Sequence, residues 1–178
     1  LFVVSAIFFF RNGFKKGDDS FIDFSIFKNR AYSGATLSNF LLNMVAGSLI
    51  IINTYLQMAR GFTSFQSGLL SIGYLVCILV TIRIGEKLIR KIGARKPMMI
   101  GPLVTSIGVL LMAFTFLEDI PYTIAVSIGF ILFGIGLGLY ATPSTDTAVA
   151  NSPADKAGVA TGIYKMASTL GGSIGIAV

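Results

Sequence analysis

Two ionisable side chains stand inside or at the edge of apolar stretches of this sequence, Asp146 and Lys165. A charge within a bilayer is costly, so each is a functional candidate by default. Asp146 lies just beyond Pro143, at the end of an apolar run. There it serves either as a carboxylate that loads and releases a proton, or as a residue that charges a helix end at headgroup level. Lys165 falls about two turns inside a later apolar run. Its ammonium either snorkels to the interface or faces the bundle interior as counter-ion to a carboxylate. Adjoining segments and similar depth make a mutual Asp146–Lys165 pair a working expectation. Both are proton-coupling candidates.

A second constellation is neutral. Asn39 and Asn43 are four residues apart and share one helix face, extended by Thr36 and Gly47. Such a stripe either hydrogen-bonds to a neighbouring helix or lines a substrate cavity. Asn39 and Asn43, joined by Tyr140 of a later span, are the cavity candidates. Other chemistry is poorly supplied. The sequence holds no His and one Cys, Cys77, so neither a metal site nor a disulfide framework is expected. It offers no paired carboxylates, no phosphate loop and no coenzyme motif, and neither an enzyme nor a cofactor is expected. Gly134, Gly136 and Gly138 lack the spacing of a dinucleotide loop. Gly134 and Gly138 instead form a small-residue pair that admits a neighbouring helix.

These residues must be held by membrane-spanning helices. The 178 residues are 54 % hydrophobic and 12 % charged, with mean hydropathy +0.81. Soluble domains carry about 25 % charged residues. Spans are expected at 31–58, 68–82, 98–117, 122–142 and 157–178, several of them reaching the ~20 apolar residues that cross a bilayer. Residues 1–10 read as the end of a truncated helix, and both chain ends as cuts within a larger transporter. Residues 11–30 read as a cytoplasmic loop, with a short interfacial helix within 21–27.

Orientation comes from charge. Six of the fourteen Lys and Arg residues (Arg83, Lys87, Arg90, Lys91, Arg95, Lys96) fall in 83–97 against the single acid Glu86. Short loops rich in Lys and Arg stay in the cytoplasm, so 83–97 is expected as a basic cytoplasmic hairpin. Successive loops carry five, one, six and no basic residues, the alternation of a serpentine bundle. The net charge of +6 thus reads as topology, and no nucleic-acid partner is expected. The hairpin is either a plain topogenic loop or a latch whose cations find partners in one state of an alternating-access cycle.

The run from Gly85 through Glu86, Arg90, Gly93, Arg95 and Lys96 to Pro97 resembles the loop motif of the major facilitator superfamily. It departs from that motif by one extra residue between the glycines and by basic residues in place of an acid. Phe21 to Tyr32, with Asp23 and Arg30, joins two further segments: Leu139-Tyr-Ala-Thr-Pro143-Ser-Thr-Asp146 and Lys156-Ala-Gly158-Val-Ala-Thr-Gly162. Together they resemble the C-terminal half of the fourteen-helix drug:proton antiporters, the staphylococcal Nor-type quinolone efflux pumps in particular.

The resemblance covers about Phe21 to Val178. It implies an all-α membrane fold, here a partial C-terminal helix bundle, that exports amphipathic drug-like molecules in exchange for protons. The implied partners are the missing N-terminal half and membrane lipids, and the implied location is the bacterial cytoplasmic membrane. Some relatives carry acids where this chain has Tyr164, Lys165 and Met166, so coupling falls to Asp146 or to the N-terminal half. The latch would comprise Gly85, Arg90, Gly93, Arg95 and Lys96. Two alternatives stand beside this one: an uptake carrier for a metabolite on the same fold, and a non-transporting piece of a truncated gene.

Overall fold

The computed structural model describes residues 24–177, and every regular element among them is helical. The expected helix end at 1–10, and the expected loop as far as residue 23, lie outside the described residues. A single 3-10 turn, Phe24–Lys28, precedes the first long helix. Helix α1 then runs Arg30–Met58, α2 Ser64–Ile92, α3 Arg95–Met112, α4 Asp119–Ala150 and α5 Ala157–Ala177.

Local chemistry sets several of these ends. Asn29 caps α1, its Oδ1 accepting from the backbone N–H of Ala31 at 2.9 Å and of Tyr32 at 3.4 Å. Thr63 and Gln66 form a reciprocal capping box at the start of α2, satisfying two donors that a helix start leaves orphaned. Gly93, at φ 76°, stops α2 in a conformation that other residues rarely adopt.

Helix lengths depart from those expected from apolarity alone. Residues 83–92 continue α2 as helix, so the expected hairpin 83–97 contracts to a turn at Gly93 and Ala94. Lys, Arg, Glu and Leu are good helix formers, and nothing before Gly93 breaks the ladder. Helix α4 likewise passes through Pro143 to Ala150 instead of ending at 142. A proline inside a membrane helix is tolerated where neighbours satisfy the freed backbone. Helix α3 stops at Met112, short of the expected 117, because Ala113–Leu117 folds into a turn.

Helices α1, α2 and α4 are long and apolar enough to cross a membrane. Helices α3 and α5, at 18 and 21 residues, are shorter. Arg95 and Lys96 in the one, and Lys165 in the other, dilute their apolar runs.

Helix α4 is the central strut, packed between α2 and α3, while α1 lies along α5 and touches α4. Glycines allow the close approaches. A Cβ added at Gly134 would sit 2.5 Å from the Tyr74 carbonyl of α2, and one at Gly138 2.9 Å from that of Ile78. The small-residue pair read from sequence is thus the seat of α2. The opposite side of α4 meets α3 through Gly136 against Gly101 and Gly129 against Gly108. Where α1 meets α5, Gly175 lies against the Met44 carbonyl.

Among the described residues, two apolar clusters complete the core. One gathers Leu56, Met112, Tyr122, Val126, Phe130 and Phe133. The other, at the opposite end, gathers Ile26, Tyr32, Ala35, Ala148, Ala160 and Tyr164.

Candidate transport site

The most connected polar feature is a chain of hydroxyls that runs from α5 through α4 to α1. Tyr164 Oη donates to Ser144 Oγ at 2.8 Å, and Ser144 Oγ donates to Tyr140 Oη at 2.8 Å. Tyr140 Oη lies 2.6 Å from Ser38 Oγ, which in turn reaches the Ala35 carbonyl at 3.0 Å. Tyr140 is 1 % exposed and Ser144 fully buried. A hydroxyl both donates and accepts, so each interior member of the chain is satisfied from two sides. Ser144 follows Pro143, so its bond to Tyr140 bridges the place where the proline removes a backbone donor.

A second polar contact lies alongside. Asn39 Nδ2 donates to the Tyr164 carbonyl at 3.1 Å, and Asn43 Nδ2 donates to Asn39 Oδ1 at 2.9 Å. Tyr32 Oη donates to the Ala160 carbonyl at 2.8 Å. Hydrogen bonds therefore join α1, α4 and α5, and glycines join α1 to α5.

The candidates read from sequence fall into three environments. Asn39 and Tyr140 are buried between helices, and Asn43 is half-buried beside them. Asp146 on α4 and Lys165 on α5 are both exposed, and no ion pair joins them among the described residues. The expected pair fails for a geometric reason. Ser144 and Tyr164 fill the α4–α5 seam, and Asp146, two positions beyond Ser144, turns away from it. Of the latch residues, Gly85 is buried 3.3 Å (for an added Cβ) from the Gly138 carbonyl, and Gly93 makes the turn. Arg90, Arg95 and Lys96 are exposed.

The other end of the bundle holds a site that loop composition does not reveal. Arg60, the one charge in its loop, donates from Nη1 to Asp119 Oδ1 at 2.7 Å. Its Nη2 donates to the carbonyls of Thr115 at 2.7 Å and Leu117 at 2.8 Å. The guanidinium also stacks 4.6 Å from the Tyr122 ring centroid. Bonds to Asp119, then Tyr55, hold the guanidinium above its usual range, so it stays charged at any working pH. Arg60 thus fastens the α1–α2 loop to the α3–α4 loop.

The family profile described as "Major Facilitator Superfamily" matches residues 1–176, and the chain belongs to that superfamily. It is a multi-pass bacterial membrane protein with a partial all-α transporter fold. It is 57 % identical over 164 residues to "Quinolone resistance protein NorB" of Staphylococcus aureus strain MRSA252, across 92 % of this chain and 35 % of the relative. The same identity and coverage hold for NorB of strains JH9 and N315. The chain spans about a third of the length of these relatives (35 %).

Proposed function

We propose that this chain supplies the C-terminal bundle of a proton-coupled multidrug efflux pump. The reading rests on the 57 % identity to quinolone resistance protein NorB over 92 % of the chain. The substrates are amphipathic drug-like molecules, exchanged for protons by alternating access. The N-terminal half of the same transporter and membrane lipids are its partners, and it uses no cofactor. The basic ends of α2 and α3 lie in the cytoplasm, as the concentration of Lys and Arg there favours.

In this mechanism α1, α4 and α5 move as one body against the N-terminal half. The buried hydroxyl chain and the Asn39 contact support that rigidity, since each links helices through bonds with no water to replace them. Asn43 and the buried Asn39 and Tyr140 behind it form the wall of the substrate cavity. Asp146 is the proton carrier: it loads from outside, drug leaves, and release toward the cytoplasm resets the cycle. Its exposure on α4, beyond the packed seam, supports access for protons. Lys165 provides a cation on the adjoining helix. Gly85, Gly93, Arg90, Arg95 and Lys96 form the cytoplasmic latch, with the turn at Gly93 holding the cations of α3 beside the end of α2.

Replacing Asp146 with Asn in the full-length protein keeps its size and polarity but removes the titrating group. The expected outcome is normal abundance in the membrane and loss of most uncoupler-sensitive drug efflux. Efflux equal to the parent at equal abundance assigns coupling elsewhere.

A further inference from the structure

Helix α2 carries one outward face along its whole length. Phe65, Leu69, Ile72, Val76 and Leu79 recur at helical spacing, and all are exposed. Continuing on the same spacing, the next residues on that face are Arg83, Lys87 and Arg90, with Lys91 at its flank, all exposed. Gly85, on the opposite side of the helix, packs against α4. The stripe therefore changes from apolar to basic without changing direction.

Length fixes where that change falls. The helix has 29 residues, which at 1.5 Å per residue span roughly 43 Å. A hydrocarbon core is about 30 Å thick. If the apolar stripe fills the core from Ser64, the excess begins near Arg83, at headgroup depth. Among the described residues only Glu86 opposes the cations, at 3.6 Å from Arg83, with both side chains well exposed. Such a pair contributes little. Lys87, Arg90 and Lys91 form no ion pair among the described residues.

We infer that the basic end of α2 is a docking surface for anionic phospholipid headgroups of the cytoplasmic leaflet. The surface is a row of cations set directly above an exposed apolar row, so one lipid meets both: acyl chains against Val76 and Leu79, phosphate against Arg83 and Lys87. Arg90 and Lys91 extend the row one turn further. A soluble acidic partner would need no apolar row beneath the cations, and this continuity favours lipid. The inference rests on the cytoplasmic placement proposed above, and not on drug transport.

The test uses the full-length protein in vesicles of phosphatidylcholine, alone or mixed with phosphatidylglycerol. Native mass spectrometry counts the phosphatidylglycerol retained, and melting is followed in both compositions. The parent is expected to retain phosphatidylglycerol over phosphatidylcholine and to melt higher in its presence, with both preferences weakening as salt rises. Each cation replaced by Gln, in a series ending with R83Q/K87Q/R90Q/K91Q, is expected to reduce retention by about fivefold. The charge-keeping variant R83K/R90K is expected to hold the parent's preference, even if the Gln series inserts poorly. Equal retention of both lipids by the parent overturns the inference, whatever its efflux activity. So does a phosphatidylglycerol preference that survives in a folded R83Q/K87Q/R90Q/K91Q.

Discussion

Replacing Gly136 with Leu is expected to remove most folded protein from the membrane. A Cβ at this position would overlap Thr105 Oγ1, with the Gly101 carbonyl 2.5 Å and the Thr105 backbone nitrogen 2.6 Å away. Two of these neighbours are backbone atoms of α3, so no rotamer change relieves the overlap, and the helices must separate. Overpacking a tight interior costs about 3 kcal/mol or more at the severe end. Folded proteins have only about 5–15 kcal/mol in total. Because α4 also seats α2, separation from α3 disturbs the whole bundle. Gly162 on α5 is the matched control, since nothing among the described residues lies within 4 Å of an added Cβ there. Gly162→Leu is expected to leave abundance unchanged, and to stabilise its helix slightly through propensity. Yield of monodisperse protein after detergent extraction checks both. Equal yield from Gly136→Leu and the parent would remove the seam from the account.

The second large effect belongs to the hydroxyl chain. Tyr140→Phe keeps the ring and deletes the oxygen at the hub, leaving Ser144 without its acceptor and Ser38 with the Ala35 carbonyl alone. A buried polar group left unpaired costs about 1–3 kcal/mol, and hydrogen bonds between membrane helices average somewhat less. A loss of about 1–2 kcal/mol is expected, read as a lower melting midpoint of the full-length protein. Tyr164→Phe is expected to cost less, because it deletes the terminal donor and strands no hydrogen of its neighbours. Removing both oxygens should cost less than the sum, as members of one network couple. Additive losses would mean that the four hydroxyls act as separate pairs.

Much of this architecture was legible from residue types. Apolar runs and the concentration of Lys and Arg in 83–97 identified a serpentine membrane bundle, and Gly134 with Gly138 identified a close helix contact. Helix ends were less legible, because apolarity marks where a helix leaves the core and not where its hydrogen-bond ladder stops. Residues 83–92 show the difference: they are charged and helical at once. The site was read unevenly for a related reason. Charge drew attention to Lys165, while Tyr164, its neighbour, makes the contact to α4. Ser144 and Tyr140, four apart on one face, carried a signal that spacing alone could have found. Ser38 carried none, since its partner lies 102 positions away. Arg60 looked like an ordinary loop charge, and its partners Thr115, Leu117 and Asp119 are distant in sequence and mostly backbone.

The most direct measurement is accumulation of a quinolone or fluorescent dye in cells stripped of their own pumps and expressing the full-length protein. It is made with and without an uncoupler that collapses the proton gradient. Proton-coupled efflux predicts low accumulation that rises to the level of empty cells when the uncoupler is added. Accumulation equal to that of empty cells for every drug tried, with the protein present in the membrane, would contradict it.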